Sequence, residues 1–258
     1  MTSFKGILSD IDGTLYFKGA PVLGTIEAVE ILREKGIKLL FFTNTDSKTP
    51  KNVYKSLIEY GFKVKEEEIF TPIIALKEFL ADKTQAKLYL VTTEEVKEEF
   101  QEFHHVKGSE VPDYVIIGDF RDNWDVNRLN IAFKYVIKHN AILIGTQGNK
   151  YYLDVFGEPV IDTGSFVHMI ANAANVKPMI FGKPSKEYFL QALKKLNLSA
   201  DDIIVVGDDI ETDILGAQNA KLRGILVKTG KGQFFNPLEG SKIPYKVIDS
   251  FSSLTELL

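Results

Sequence analysis

Two carboxylates stand two residues apart in ILSDIDGTLY. They are Asp10 and Asp12, at the end of an apolar run and directly before Gly13 and Thr14. Polar side chains recur in the same setting elsewhere: Thr43 and Asn44 after IKLLFF, Lys183 and Ser185 in IFGKPS, and Asp208, Asp209 and Asp213 in VVGDDIETD. The set contains carboxylates, a lysine, hydroxyls and an amide, and no histidine. Carboxylates gathered at one place repel each other unless a cation holds them. A hard cation such as Mg²⁺ prefers oxygen ligands and keeps positions open for water and a substrate phosphate. Lysine and threonine then offer donors to phosphoryl oxygens. One ionised carboxylate can attack phosphorus and form an acyl phosphate, while the other, two residues on, can protonate the leaving oxygen. A free aspartate titrates at about 3.9, too low for an acid at neutral pH, so crowding and partial burial are expected to raise it.

The elements that must position these groups alternate between apolar runs and amphipathic stretches. FKGILS and IKLLFFTN read as buried strands, as do PMIFG, DDIIVVGDD and RGILVKTG. GTIEAVEILREKG, TPKNVYKSLIEYGF, TPIIALKEFLAD, SKEYFLQALKKLN and TDILGAQNAK read as helices between them. Strands apolar throughout, separated by helices, predict a doubly wound, Rossmann-like parallel sheet covered on both faces. Ligands of such sheets bind beyond the C-terminal strand ends, where every polar group named above falls. The middle of the chain holds further strands (AKLYLVT, DYVIIGD, AILIGT), helices (TTEEVKEEFQEF, VNRLNIAFKYVIKHN) and an expected hairpin, KYYLDVFGEPVID. The reading is therefore an α/β core over residues 1–82 and 178–258, with an inserted α/β cap over 83–177. His104 and His105 read as surface residues and Trp124 as cap packing.

Composition narrows the field. The 258 residues suit two compact units, and a formal net charge of −4 argues against non-specific nucleic-acid binding. The absence of cysteine excludes disulfides and thiolate chemistry. MTSFKGILSD has no signal-peptide pattern, and no apolar run is long enough to cross a bilayer. A cytoplasmic protein without membrane or nucleic-acid partners is expected.

DIDGTL, Thr43 after LLFF, Lys183 in GKPS, and GDDIETD match, in order, the four motifs of the haloacid-dehalogenase-like hydrolases. The insert between the second and third motifs resembles the type-2 cap of the nitrophenylphosphatase-like branch. TNT, GKPS, GDDIETD, GAQ and ILVKTGK look closest to the subgroup of phospholysine phosphohistidine inorganic pyrophosphate phosphatase. Some of that subgroup carry Ser at the second aspartate; Asp12 here supports full phosphatase chemistry. The resemblance implies a Mg²⁺-dependent phosphatase acting on a small phosphorylated substrate. In it Asp10 is the nucleophile and Asp12 the general acid and then base, with its backbone carbonyl on the metal. Asp10 and Asp208 ligate the metal, Thr43 and Asn44 bind phosphoryl oxygens, and Lys183 neutralises charge on nucleophile and phosphate. Asp213 acts through a water or an orienting hydrogen bond, and Asp209 supports the ligands. The caps of related proteins often form dimers, so a homodimer is an expectation.

Each stretch also has an ordinary reading alone: turn capping for Asp10 and Asp12, turn chemistry for Thr43 and Asn44, a surface lysine, or a charged helix start for DDIETD. Their common place at one sheet edge favours the catalytic reading. Two rivals stay open at this point. One is a phosphotransferase or mutase that passes the group to an alcohol; the other is a phosphorylation switch or binding module without turnover. Substrate choice is assigned to the cap loops GDFRDN and GTQGNK, with Arg121, Gln147 and Asn149 as the candidate contacts.

Overall fold

A computed structural model describes residues 4–235 and 243–257; the first three residues of the N-terminal stretch read above lie outside them. The core is a parallel six-stranded sheet in the order Lys246–Ile248, Arg223–Val227, Ile203–Gly207, Gly6–Ser9, Lys38–Phe42, Ile69–Phe70. Gly6–Ser9 is flanked on one side by the next core strand in the chain and on the other by Ile203–Gly207. The chain therefore winds outward in both directions from this strand, and the crevice at its C-terminal end is the topological switch point. The strands are buried on both faces. Ile7, Leu39, Phe41, Ile204 and Val206 face one apolar cluster, and Leu8, Leu40, Phe42 and Val205 the other, as the two-residue strand period requires.

The helices start where their residues dictate. Thr49 and Thr71 cap Pro50–Glu59 and Pro72–Leu80, each with proline in the first turn. Asn140, Asn175 and Asn197 end three helices in the left-handed region.

The inserted cap is a second parallel sheet, in the order Met179–Ile180, Ile142–Gly145, Tyr114–Ile117, Lys87–Val91, His104–His105. Two features differ from the sequence reading. Met179–Ile180, expected in the core, pairs with Ile144 and Gly145 of the cap. An apolar run signals burial but not which sheet it joins. His104–His105 is an edge strand paired with Lys87 and Leu88, too short for any periodicity to show. The expected hairpin forms, as Tyr151–Leu153 against Pro159–Ile161. A second hairpin, Tyr16–Phe17 with Ala20–Pro21, was not foreseen; Lys18 (φ 52°) and Gly19 (φ 77°) make its turn, the positive-φ pair that favours tight hairpins. Trp124 packs on Phe120 and Phe166 yet stays largely exposed.

Candidate active site

The carboxylates converge as the strand ends dictate. Asp10 follows the central strand, its N–H bonded to Val206 O at 2.8 Å, and Asp208 follows Ile203–Gly207. Asp213 lies one turn further, in the π-helical segment Ile210–Ile214. One oxygen from each of Asp10, Asp208 and Asp213 lies within 4.8 Å of the others, and all three residues are buried. Lys183 Nζ reaches in from the third motif and donates to Asp10 Oδ1 and Asp213 Oδ1, both at 2.6 Å. Thr14 Oγ1 donates to Asp10 Oδ2 at 3.1 Å.

The electrostatics follow from crowding without water. Burial, with Asp213 close by, pushes Asp10 up to about 7 although Lys183 pulls it down. Burial likewise raises Asp208, with Asp10 and Asp213 adding to it, and raises Asp213 against the pull of Lys183. Burial also opposes the Lys183 ammonium, but its two carboxylate partners more than offset this and hold it above the ordinary lysine value. Three carboxylates thus stand around one lysine that bonds to two of them, an arrangement short of positive charge. The donor set suits a hard divalent cation, being all oxygen and compact. The surrounding backbone is shaped to it as well: a Cβ at Gly13 (φ 86°) or Gly230 (φ 50°) would run into the Asp208 carboxylate, so only glycine permits that approach.

Asp12 stands apart from this trio. Its side chain is exposed, against the partial burial expected for it. Thr45 Oγ1 donates to Asp12 Oδ2 at 2.9 Å, and the Tyr16 hydroxyl also bonds to it. Burial and the Asp12 charge hold the Tyr16 phenol well above its usual value, so it stays a donor. Neither Thr45 nor Tyr16 was singled out from the sequence; each lies in a motif whose neighbours drew the reading. Thr43 Oγ1 accepts from Thr45 N at 3.0 Å and sits 2.9 Å from Thr45 Oγ1, which ties the second motif to the first.

Asn44 is placed differently from its expected phosphate contact. Its Oδ1 accepts from Lys183 N at 2.7 Å, and its Nδ2 donates to Lys183 O and Asn149 Oδ1, both at 3.0 Å. The amide is spent on holding the lysine loop and the cap. Asp209 bonds within its own segment: its N–H donates to Asp213 Oδ2 at 3.0 Å, and its Oδ1 accepts from Glu211 N at 2.8 Å and Thr212 N at 3.2 Å. Lys231, in the ILVKTGK stretch, is not among the residues the sequence points to. Its N–H donates to Asp208 Oδ2, and its Nζ to Asp209 Oδ2 and to Tyr151 O of the cap, each at 2.6 Å. Burial works to raise Asp209, yet Lys231 outweighs it and holds the carboxyl below its usual value.

A cavity of about 510 Å³ opens above these groups. Asp10, Asp12, Thr43, Lys183 and Asp208 line its floor; Arg121, Asn149, Tyr152 and Asp162 of the cap line its wall. Arg121 pairs with Asp119 and lies over the Tyr152 ring, 4.4 Å from the centroid. Gln147 does not join them. It is 1% exposed, and its Oε1 accepts from Asn149 N at 2.5 Å, so it shapes the wall from behind. Among the described residues, no helix is long and apolar enough to cross a membrane.

Comparison with known proteins agrees with this geometry. Residues 7–105 match the haloacid dehalogenase-like hydrolase family, and residues 180–254 match a related hydrolase-like family. The chain is 32% identical over 249 residues to haloacid dehalogenase-like hydrolase domain-containing protein 2 of Mus musculus, covering 96% of this chain and 93% of that one. It is 31% identical to phospholysine phosphohistidine inorganic pyrophosphate phosphatase of Xenopus laevis, over 88% of this chain and 84% of the other. Among solved structures, the 4-nitrophenylphosphatase of Thermotoga maritima superposes with a TM-score of 0.87 at 26% identity, covering 98% of this chain and 97% of that one.

Proposed function

Since the chain belongs to the haloacid dehalogenase-like hydrolases and is a phosphatase of that family, we propose that it hydrolyses a small phosphorylated metabolite through an aspartyl phosphate on Asp10. The observation that carries this reading is the meeting of Asp10, Asp12 and Lys183 at one sheet edge, on the floor of one open cavity. In the first step an Asp10 carboxylate oxygen attacks phosphorus, the bond to the leaving oxygen breaks, and Asp12 gives that oxygen its proton. In the second, Asp12, now ionised, takes a proton from water, whose oxygen attacks the same phosphorus, and the bond to Asp10 breaks. Lys183 holds the Asp10 carboxylate ready and offsets charge on the phosphoryl group. The Thr43 hydroxyl faces the same oxygens. Mg²⁺, which Asp10, Asp208 and the Asp12 carbonyl would hold with support from Asp209 and Asp213, supplies charge neutralisation to the phosphate oxygens when bound. Arg121 and Asn149 would meet the leaving group from the cap, with Gln147 holding Asn149 in place. A homodimer, which rests on the family resemblance, and a cytoplasmic location belong to the same proposal.

The test is phosphate release from a panel of phosphorylated metabolites and p-nitrophenyl phosphate with Mg²⁺, by wild type and Asp10→Asn, run with and without an added alcohol. Turnover to free phosphate by wild type, and less than a few per cent of it in a folded Asp10→Asn variant, is expected. Comparable release by the variant would refute the nucleophile. Phosphate passed mainly to the alcohol would make the protein a transferase.

A further inference from the structure

The cap has a ligand crevice of its own. Counted along the chain, its five parallel strands stand in the order 2-1-3-4-5, with the switch point between Lys87–Val91 and Tyr114–Ile117. Doubly wound sheets of this order bind ligands beyond the strand ends at that point. Here the crevice is filled by the core. Thr93, just beyond the first of these strands, donates from Oγ1 to Ser47 O at 3.1 Å. Glu95 Oε1 accepts from Thr49 N at 2.6 Å and Asn52 Nδ2 at 2.9 Å. Asp46, 3% exposed, reaches deepest: its Oδ2 accepts from Thr146 Oγ1 at 2.5 Å and Thr163 Oγ1 at 2.9 Å.

We propose that the core loop 46–52 is a built-in occupant of the cap's crevice, and that Asp46 is the positioning residue that seats the cap over the catalytic floor as an uncharged carboxylic acid. The chemistry of its surroundings supports the neutral form. Asp119 and Asp162 face it from the cap. Each has an N–H donor, from Arg121 N and Thr163 N at 2.8 Å, and Arg121 pairs with Asp119 and pulls on Asp162. Asp46 has only hydroxyl donors among the described residues. The other charged groups on the packed elements, Lys48 on its own loop and Glu95 on the cap helix, are directed elsewhere: Lys48 to Ser56 and Glu95 to Thr49 and Asn52. Two buried carboxylates and one arginine leave no charge to balance a third anion. Burial, reinforced by Asp162 and Asp119, accordingly pushes Asp46 up to about 8. Thr146 directly precedes Gln147, and Asp162 and Arg121 line the cavity. Loss of the proton therefore loosens the wall that meets the leaving group.

The inference rests on the phosphatase reading only for its kinetic arm. Asp46→Asn keeps an uncharged acceptor, and Asp46→Ala removes it. In wild type, KM for the best metabolite should rise at least several-fold between pH 7 and pH 9 with a smaller change in kcat. Asp46→Asn should keep the low KM and lose this alkaline rise, and Asp46→Ala should show a high KM at both pH values. Hydrogen exchange of the free protein, corrected for intrinsic rate, should show amides of 146–149 and 163–166 less protected at pH 9 than at pH 7 in wild type but not in Asp46→Asn. Failure of Asp46→Asn to rescue, with the same pH profile in all three proteins, would reduce Asp46 to a packing residue. Unchanged wild-type protection across this range would overturn the proposal by itself. Absence of turnover on every substrate would sink the phosphatase reading and leave the exchange arm to decide the seat.

Discussion

Lys183→Met tests the charge balance on which the site depends. The side chain is 2% exposed and donates at 2.6 Å to both Asp10 and Asp213. Methionine fills much of the same space and removes the cation paired with Asp10 and Asp213. Removing one partner from a buried pair costs about 3–5 kcal/mol, because the other charge stays buried without compensation. At roughly 2–4 °C per kcal/mol for a chain of this size, the melting temperature should fall by about 6–20 °C. The sign with pH is fixed by direction. Asp10, at about 7, and Asp208 and Asp213, also raised, take up protons in the folded state more readily than when unfolded. Groups whose folded values lie above their unfolded ones favour the fold as pH falls through that window. Acidification from pH 8 to pH 5.5 should thus narrow the gap between variant and wild type. A divalent cation should raise the stability of both proteins: at a hundred times its dissociation constant it stabilises by about 2.7 kcal/mol. The assay is thermal unfolding in EDTA at both pH values, repeated at pH 8 with Mg²⁺. A variant as stable as wild type in EDTA at pH 8, or a gap that widens on acidification, would refute the reasoning.

Chelation should silence phosphate release and Mg²⁺ restore it, while Ca²⁺ restores it poorly because its looser, larger coordination misplaces the phosphoryl group; steady-state rates after metal exchange decide this. Asp12→Ala should slow cleavage of an alkyl phosphate far more than that of p-nitrophenyl phosphate, whose leaving group needs little protonation. The phosphorylated Asp10 should then accumulate, visible in burst kinetics or by intact mass. Arg121→Ala should lower kcat/KM for the best metabolite by about tenfold or more, the cost of an unmet buried contact, and hardly affect p-nitrophenyl phosphate. Gln147→Ala should instead lower protein stability as well, because that side chain is buried against Asn149; equal effects on both substrates in both variants would take substrate reading away from this wall.

The parts of the fold legible in the sequence are those that repeat a local rule. Buried strands such as ILS and LLFF announce themselves as apolar runs, and their polar successors mark the site, because a parallel sheet exposes only its strand ends to ligand. Partner choice between sheets is not local, so Met179–Ile180 could be read as a strand and still be assigned to the wrong sheet. Asn44 and Gln147 show the same limit at the site. An amide beside a phosphate motif can face the substrate or brace the backbone, and only the three-dimensional position of Lys183 and Asn149 decides it. Asp46 lies in a polar loop and Lys231 in the short 3₁₀ turn Gly230–Phe234, neither with a readable periodicity. Their significance comes from burial, which a polar loop sequence hides.

The insertion point explains why chemistry and recognition are separated yet coupled. The chain leaves the core after Pro72–Leu80 and returns just before Lys183, across a short gap from Asn44. Asn44 closes that gap with a two-point clasp on the Lys183 backbone and a third bond to Asn149 in the cap. Lys231 makes a second link, from the loop that holds Asp208 to the cap carbonyl of Tyr151. A displacement of the cap is therefore felt at Lys183 and Asp208, the groups that set the charge around Asp10. The floor carries the groups to which the proposed phosphoryl reaction assigns nucleophilic and acid–base roles. The wall carries Arg121, Asn149 and Tyr152, which no step of that reaction requires. Wall residues are thus free to change with the substrate, provided that the Asn44 and Lys231 bonds keep the wall in register with the floor.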